Sequence, residues 1–160
     1  MLSAPGDGWV SREPFRPIEN RAETPERPVI LIVSPLAEDH ERLARISDQF
    51  ATEVRSTGTV AEALGILKAE TVAVLITESK LPGGHYWTEL LQATAVSEGA
   101  PRLIVASRVA DEHLWAEVLN LGGYDVLLKP FDPEEAYRVV GLALAGWQTA
   151  LTRRRAAARA

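Results

Sequence analysis

The run Val72–Thr77 (VAVLIT) constrains this chain more than any other stretch. It is apolar, rich in β-branched residues, and bears no charge. A run of this length and kind reads as a strand buried on both faces. It stops at Glu78 and gives way to the turn Lys80-Leu81-Pro82-Gly83-Gly84. An acidic residue at the carboxyl end of a buried parallel strand sits where open α/β sheets keep their sites. A second stretch, Val126–Phe131 (VLLKPF), repeats the pattern with Lys129 at the strand end. The remaining chain reads as scaffold that brings Glu78 and Lys129 together.

Taken in order, residues 1–28 hold five prolines among many charges, and no helical or strand period survives there. They read as a flexible arm, in the first place a leader without a docking role, and in the alternative one in which Trp9, Val10, Phe15 and Ile18 form a docking segment. Order begins with VILIV (29–33), a fully apolar first strand. Ser34-Pro35 reads as a helix start, serine as N-cap and proline at the first helical position. Leu43, Ile46 and Phe50 then give the first helix one apolar stripe. EVRST (53–57) alternates and reads as an edge strand. Thr59 to Glu62 matches a capping box, followed by Val60, Leu64 and Leu67 at helical spacing. The third helix is expected from about His85 to Ser97, with Trp87, Leu90 and Leu91 inward. LIVAS (103–107) is the fourth strand. Asp111 caps a fourth helix ending at Gly122-Gly123. DVLL (125–128) is the fifth strand, and Asp132-Pro133-Glu134-Glu135 opens a long fifth helix. Strands alternating with helices imply right-handed crossovers and a parallel sheet covered on both sides.

Composition excludes several classes. No cysteine is present, so disulfides, thiolate zinc sites and cysteine nucleophiles are ruled out. The longest apolar run, Val139–Trp147, falls far short of the roughly twenty residues a membrane span needs. The N-terminus lacks the apolar core of a secretory signal. A net charge of −5 argues against general nucleic-acid binding. No Ser-His-Asp set, phosphate loop or zinc spacing appears. His40, His85 and His113 fall at expected helix starts and are read as neither ligands nor bases.

The strand ends resemble those of the receiver domain of bacterial response regulators, from Val29 to about Ala150. Three features carry the resemblance: Glu78 four positions before Pro82-Gly83, Ser107 at the end of the fourth strand, and Lys129-Pro130-Phe131 after a glycine pair. It implies a three-layer α/β/α flavodoxin-like (CheY-like) fold, its five-stranded parallel sheet in the order 2-1-3-4-5. In that family an aspartate ends the third strand and accepts a phosphoryl group. Two acids after the first strand hold Mg²⁺. A hydroxyl and a lysine contact the phosphoryl group, and an aromatic residue three positions before the lysine acts as the switch. Here Ser107 and Lys129 match. Glu78 stands for the acceptor, Ser34 and Pro35 for the two metal-holding acids, and Val126 for the switch. Magnesium takes an octahedron of oxygens that usually includes a carboxylate, which Ser34 and Pro35 do not supply.

The resemblance therefore points to a degenerate receiver without metal or cofactor: not an enzyme, cytoplasmic, and acting by binding another protein through the face of helix 4, strand 5 and helix 5. Glu78 reads as an internal phosphoryl mimic aimed at Lys129 and Ser107, or as an exposed acid at a strand end. Ser107 reads equally as a cap for the next turn. Glu38 and Asp39 read as a first-turn acidic pair complementing the helix dipole, in preference to a rebuilt metal site. The domain is expected over 29–147, with 148–160 as an extension of the last helix and a basic tail. On that helix one stripe (Ala136, Val139, Ala143, Gly146, Ala150) carries mostly small residues and suits packing on the sheet. A second stripe (Tyr137, Val140, Leu144, Trp147, Leu151) carries large ones and is expected to be exposed, seating a second copy or a partner helix, the alternative being that helix 4 or the N-terminal arm covers it. Two rivals stand beside this reading: a receiver phosphorylated on an unusual acceptor, and a nucleic-acid-associated regulator using Arg153, Arg154, Arg155 and Arg159. A flavin-binding relative is disfavoured, because Ser34-Pro35-Leu36-Ala37 lacks the hydroxyls and glycine that cradle a phosphate.

Overall fold

The computed structural model describes residues 27–95 and 99–159. The expected arm (1–28) and its docking segment lie outside them, apart from Arg27 and Pro28, as does Ser97. Five strands form one parallel sheet: β1 (Val29–Val33), β2 (Glu53–Thr57), β3 (Val72–Glu78), β6 (Arg102–Ser107) and β7 (Asp125–Leu128). Their order is β2-β1-β3-β6-β7, which is 2-1-3-4-5 when the strands of this sheet alone are counted. The three central strands, VILIV, VAVLITE and RLIVAS, are buried almost throughout, as their unbroken apolar runs require. β2 lies at the edge, where its polar residues reach water. Its Arg55 makes paired bonds to Glu70 at 3.0 and 3.2 Å.

Among the described residues five helices cover the sheet: α1 (Ala37–Ser47), α2 (Val60–Ala69), α3 (Trp87–Thr94), α4 (Glu112–Leu121) and α5 (Pro133–Ala158). One core packs Leu43 and Ile46 of α1 and the inner residues of α5 against one sheet face. The other packs Val60, Trp87, Leu90 and Val118 against the opposite face. The caps expected at Thr59, Asp111 and Asp132 accept from the amides of Glu62, Leu114 and Glu134. Gly122 closes α4 with φ +102°, a conformation that glycine adopts without the Cβ penalty.

Three expectations change. α1 begins at Ala37 with Leu36 as its N-cap residue, so Ser34 does not cap it and Pro35 lies in the preceding loop. The Ser34 hydroxyl instead accepts from the Leu36 amide at 3.1 Å and donates to Asp39 at 2.6 Å. The third helix starts two residues late, because His85–Tyr86 (β5) pairs antiparallel with Lys80–Leu81 (β4) in a small hairpin. The turn glycines Gly83 and Gly84 (φ +81° and +76°) reverse the chain there.

The third change concerns α5. Its large-residue stripe is not left free. Val140, Leu144 and Trp147 are buried within the chain, and Leu151 packs against the same core. The Trp147 indole donates to the Gly99 carbonyl at 3.1 Å. Tyr137 is partly exposed and stacks on Phe50, ring centroids 4.9 Å apart. α5 lies against the sheet on one side and the end of α1 on the other, so the arc it buries takes in both stripes. α5 runs without a break from Pro133 to Ala158, so residues 148–158 extend the last helix, as expected.

Candidate functional site

The carboxyl ends of β1, β3, β6 and β7 converge on one polar pocket. β3 delivers Glu78, whose side chain is 18% exposed, and the loop after β7 delivers Lys129, 5% exposed. The Lys129 ammonium contacts the Glu78 carboxylate, as the sequence implied. It also contacts Asp39, an 8% exposed carboxylate from the first turn of α1. One cation is thus held between two anions, and Asp39 is fixed in turn by the Ser34 hydroxyl. Such burial of charge is tolerable only where each ion has close partners.

Asp39 is the site residue that sequence reasoning missed. Read with Glu38 as a first-turn acidic pair, it does lie in the first turn of α1, but it is buried and faces Lys129. Glu38 behaves as expected, exposed and paired with Arg42 at 2.6 Å one turn on. A signal was present: Asp39 lies four residues before Leu43 and seven before Ile46, on the inward stripe of α1. His40 was also undervalued. Its Nε2 donates to the carbonyls of Ser34 (2.7 Å) and Thr57 (3.1 Å), tying the ends of β1 and β2 beside the pocket.

The other expected positions take simpler roles. The Ser107 hydroxyl accepts from the Val109 amide at 3.2 Å, the turn-capping alternative. The Ser107 carbonyl accepts from the Lys129 amide at 2.9 Å, which sets the lysine at the pocket. Pro35 is exposed. Val126 is buried in the core beneath the pocket and has no ring to rotate. The Lys129-Pro130 peptide is cis.

The donor set does not fit a divalent cation. Ser34 is neutral, Pro35 has no side-chain donor, and Asp39 is engaged by Ser34 and by Lys129, whose ammonium lies between the two carboxylates. A small hard cation needs several oxygens free to turn inward, and here they turn toward the lysine. Among the described residues no group of three or more His, Cys, Asp and Glu side chains could hold a metal.

Next to the pocket, the start of α3 is pinned by Glu89. Its carboxylate accepts from the Tyr86 amide and from the His85 ring, both at 2.9 Å. The His85 bond and then the Tyr86 amide hold the Glu89 carboxyl below its usual range. No described helix is long and apolar enough to cross a membrane.

Comparison with known proteins agrees with this architecture. Solved structures with similar folds include the signal receiver domain of an HD domain-containing protein from Pseudomonas fluorescens Pf-5. It is 24% identical with a TM-score of 0.71, covering 84% of this chain and 98% of that one. Another is the receiver domain of a putative Luxo repressor protein from Vibrio parahaemolyticus, 18% identical with a TM-score of 0.71, covering 77% and 94%. A third is the chemotaxis response regulator CheY4 of Vibrio cholerae, 18% identical with a TM-score of 0.66, covering 74% and 99%. No curated protein matches the sequence. The model of the response regulator receiver domain matches residues 30–140, from the first buried strand into α5. The five-stranded sheet, the pocket at its carboxyl edge and this match together make the chain a member of the response regulator receiver domain family.

Proposed function

We propose that this receiver domain signals without phosphoryl transfer, as a cytoplasmic protein that acts by binding a signalling partner through the face of α4, β7 and α5. The observation that carries the reading is the Lys129 ammonium shared by Asp39 and Glu78. Phosphoryl transfer to a carboxylate rests on cationic groups that offset charge on the transferring oxygens. Here the lysine is already neutralised by two carboxylates, and among the described residues no cluster of His, Cys, Asp and Glu would hold a metal ion. Glu78 reaches the lysine in the manner of a built-in anion. On the proposed face Trp115 and Leu119 lie one turn apart on α4 and are exposed, as is Leu128 at the end of β7. Exposed large apolar groups of this kind suit a protein partner.

The test is incubation with acetyl phosphate and Mg²⁺ followed by intact-mass measurement, with a parallel Mg²⁺ titration read from amide shifts near Glu78. The expected results are an unchanged mass and no saturable shift below millimolar Mg²⁺. A stoichiometric phosphoryl adduct on Asp39 or Glu78 would establish the rival, a receiver with an unusual acceptor.

A further inference from the structure

Among the described residues, five of the large apolar side chains left exposed fall in one stretch of chain: Val109, Trp115, Leu119, Leu121 and Leu128. They lie before α4, on it, and at the end of β7. α4 itself is lightly held. Val118 alone among its residues is fully buried, and Leu114 packs in part beside it. A surface of this kind suits docking. It is also acidic. From residue 108 to 128 the chain carries Asp111, Glu112, Glu117 and Asp125 against the single base Arg108, with His113 beside them. Asp111 and Asp125 each hold a backbone amide, that of Leu114 and that of Val126. Glu112 and Glu117 are exposed and make no such bond to a described residue.

We infer that residues 9–18 of the same chain dock on α4. They lie outside the described residues, and their sequence, WVSREPFRPI, supplies the match. Pro14-Phe15-Arg16-Pro17 has the Pro-x-x-Pro spacing of segments that bind extended on aromatic surfaces, and Trp115 offers an exposed indole. Arg12 and Arg16 outnumber Glu13 in the segment and complement Glu112 and Glu117. The lengths agree. An extended segment of this kind sets Phe15 about 9 Å from Ile18, and α4 sets Trp115 about 9 Å from Leu121. The reach suffices as well. Eleven residues from Ile18 to Val29 span up to about 36 Å. The way from β1 to β7 crosses three strand spacings, about 14 Å. α4 carries the chain from the carboxyl end of β6 back to the amino end of β7. Leu119 and Leu121 therefore lie toward the sheet edge at which the arm joins β1. Docked there, the arm covers part of the face assigned above to the signalling partner, and must leave before that partner binds. This consequence rests on the proposed function, whereas the docking does not.

The test is paramagnetic broadening in the full chain. No cysteine is present, so Ser11→Cys gives one attachment site for a nitroxide. Amide spectra of the isotope-enriched chain are compared with the nitroxide oxidised and reduced. Signal loss is expected at Trp115, Leu119 and Leu121, while Leu43 and Ile46, across the sheet, keep theirs. Glu112→Gln/Glu117→Gln is expected to remove the loss. So is Phe15→Ser/Ile18→Ser, which alters no residue of the folded core. Circular dichroism confirms that each variant is folded. Spin-labelled chain without isotope, mixed with enriched chain without label, is expected to leave every signal intact. Loss in that mixture places the arm on a second copy and overturns the inference. So does a labelled chain with no loss on α4, loss centred elsewhere, or loss that survives either pair of substitutions. A phosphoryl adduct in the pocket would overturn the proposed function and leave this result standing.

Discussion

Lys129→Met leaves Asp39 and Glu78 facing each other with no cation between them. Both carboxylates are largely out of water, 8% and 18% exposed, so solvent offsets little of their charge. Removing one member of a buried ionic set costs about 3–5 kcal/mol, and the upper part of that range applies, because two like charges are stranded. Glu78→Gln in the wild type is milder. Lys129 keeps Asp39, and the loss is that of one ion-pair contact whose carboxylate is 18% exposed, about 1–3 kcal/mol, between the value of an exposed pair and that of a fully buried one. In the Lys129→Met background the same change has the opposite sign, since it removes one of two repelling anions and relieves part of the cost. Urea unfolding followed by circular dichroism, over the four members of this double-mutant cycle, reads the coupling directly. Asp39→Asn, in place of Glu78→Gln, is expected to repeat the sign change. If Glu78→Gln destabilises both backgrounds equally, the lysine is not shared and the account of the pocket fails.

Three further outcomes are expected. Glu89 has a folded-state pKa below its unfolded value, so its contribution to the start of α3 is complete above the usual carboxylate range and is lost as pH falls through the depressed value. Amide exchange at Tyr86 should accelerate there, and Glu89→Gln should flatten that pH dependence. Trp147, 6% exposed with its indole donating to Gly99, should emit as a buried tryptophan, and Trp147→Ala should cost about 3–5 kcal/mol by denaturant unfolding. A Cβ at Gly123 would lie 2.5 Å from Val118 Cγ1 and 2.9 Å from its carbonyl oxygen, whereas Gly122 has open space but a positive φ. Gly122→Ala is therefore expected to lower stability by about 1–2 kcal/mol, and Gly123→Ala by more, because the end of α4 must shift.

The sequence by itself determined the sheet. Strands buried on both faces announce themselves as unbroken apolar runs, and VILIV, VAVLIT and LIVAS lie at the centre as that pattern demands. Helix starts at Thr59, Asp111 and Asp132 were legible for a related reason: a cap is a bond between residues two or three apart, and nothing distant decides it. Half of the site was legible too, since Glu78 and Lys129 end strands whose neighbours follow from topology. The tertiary structure decided the remainder. Ser34 looked like a cap but bonds Asp39, because α1 begins past the loop rather than at it. Asp39 read as half of a first-turn acidic pair, and it turns inward, because the phase of α1 is set by Leu43 and Ile46, and Lys129, 90 residues away, offers it a counter-charge. The large stripe of α5 looked exposed but is covered, because one helix seated between a sheet and a neighbouring helix buries a wider arc than a lone helix pattern reveals. Local bonds are written in adjacent residues. What a side chain finally faces depends on groups that only folding brings within reach.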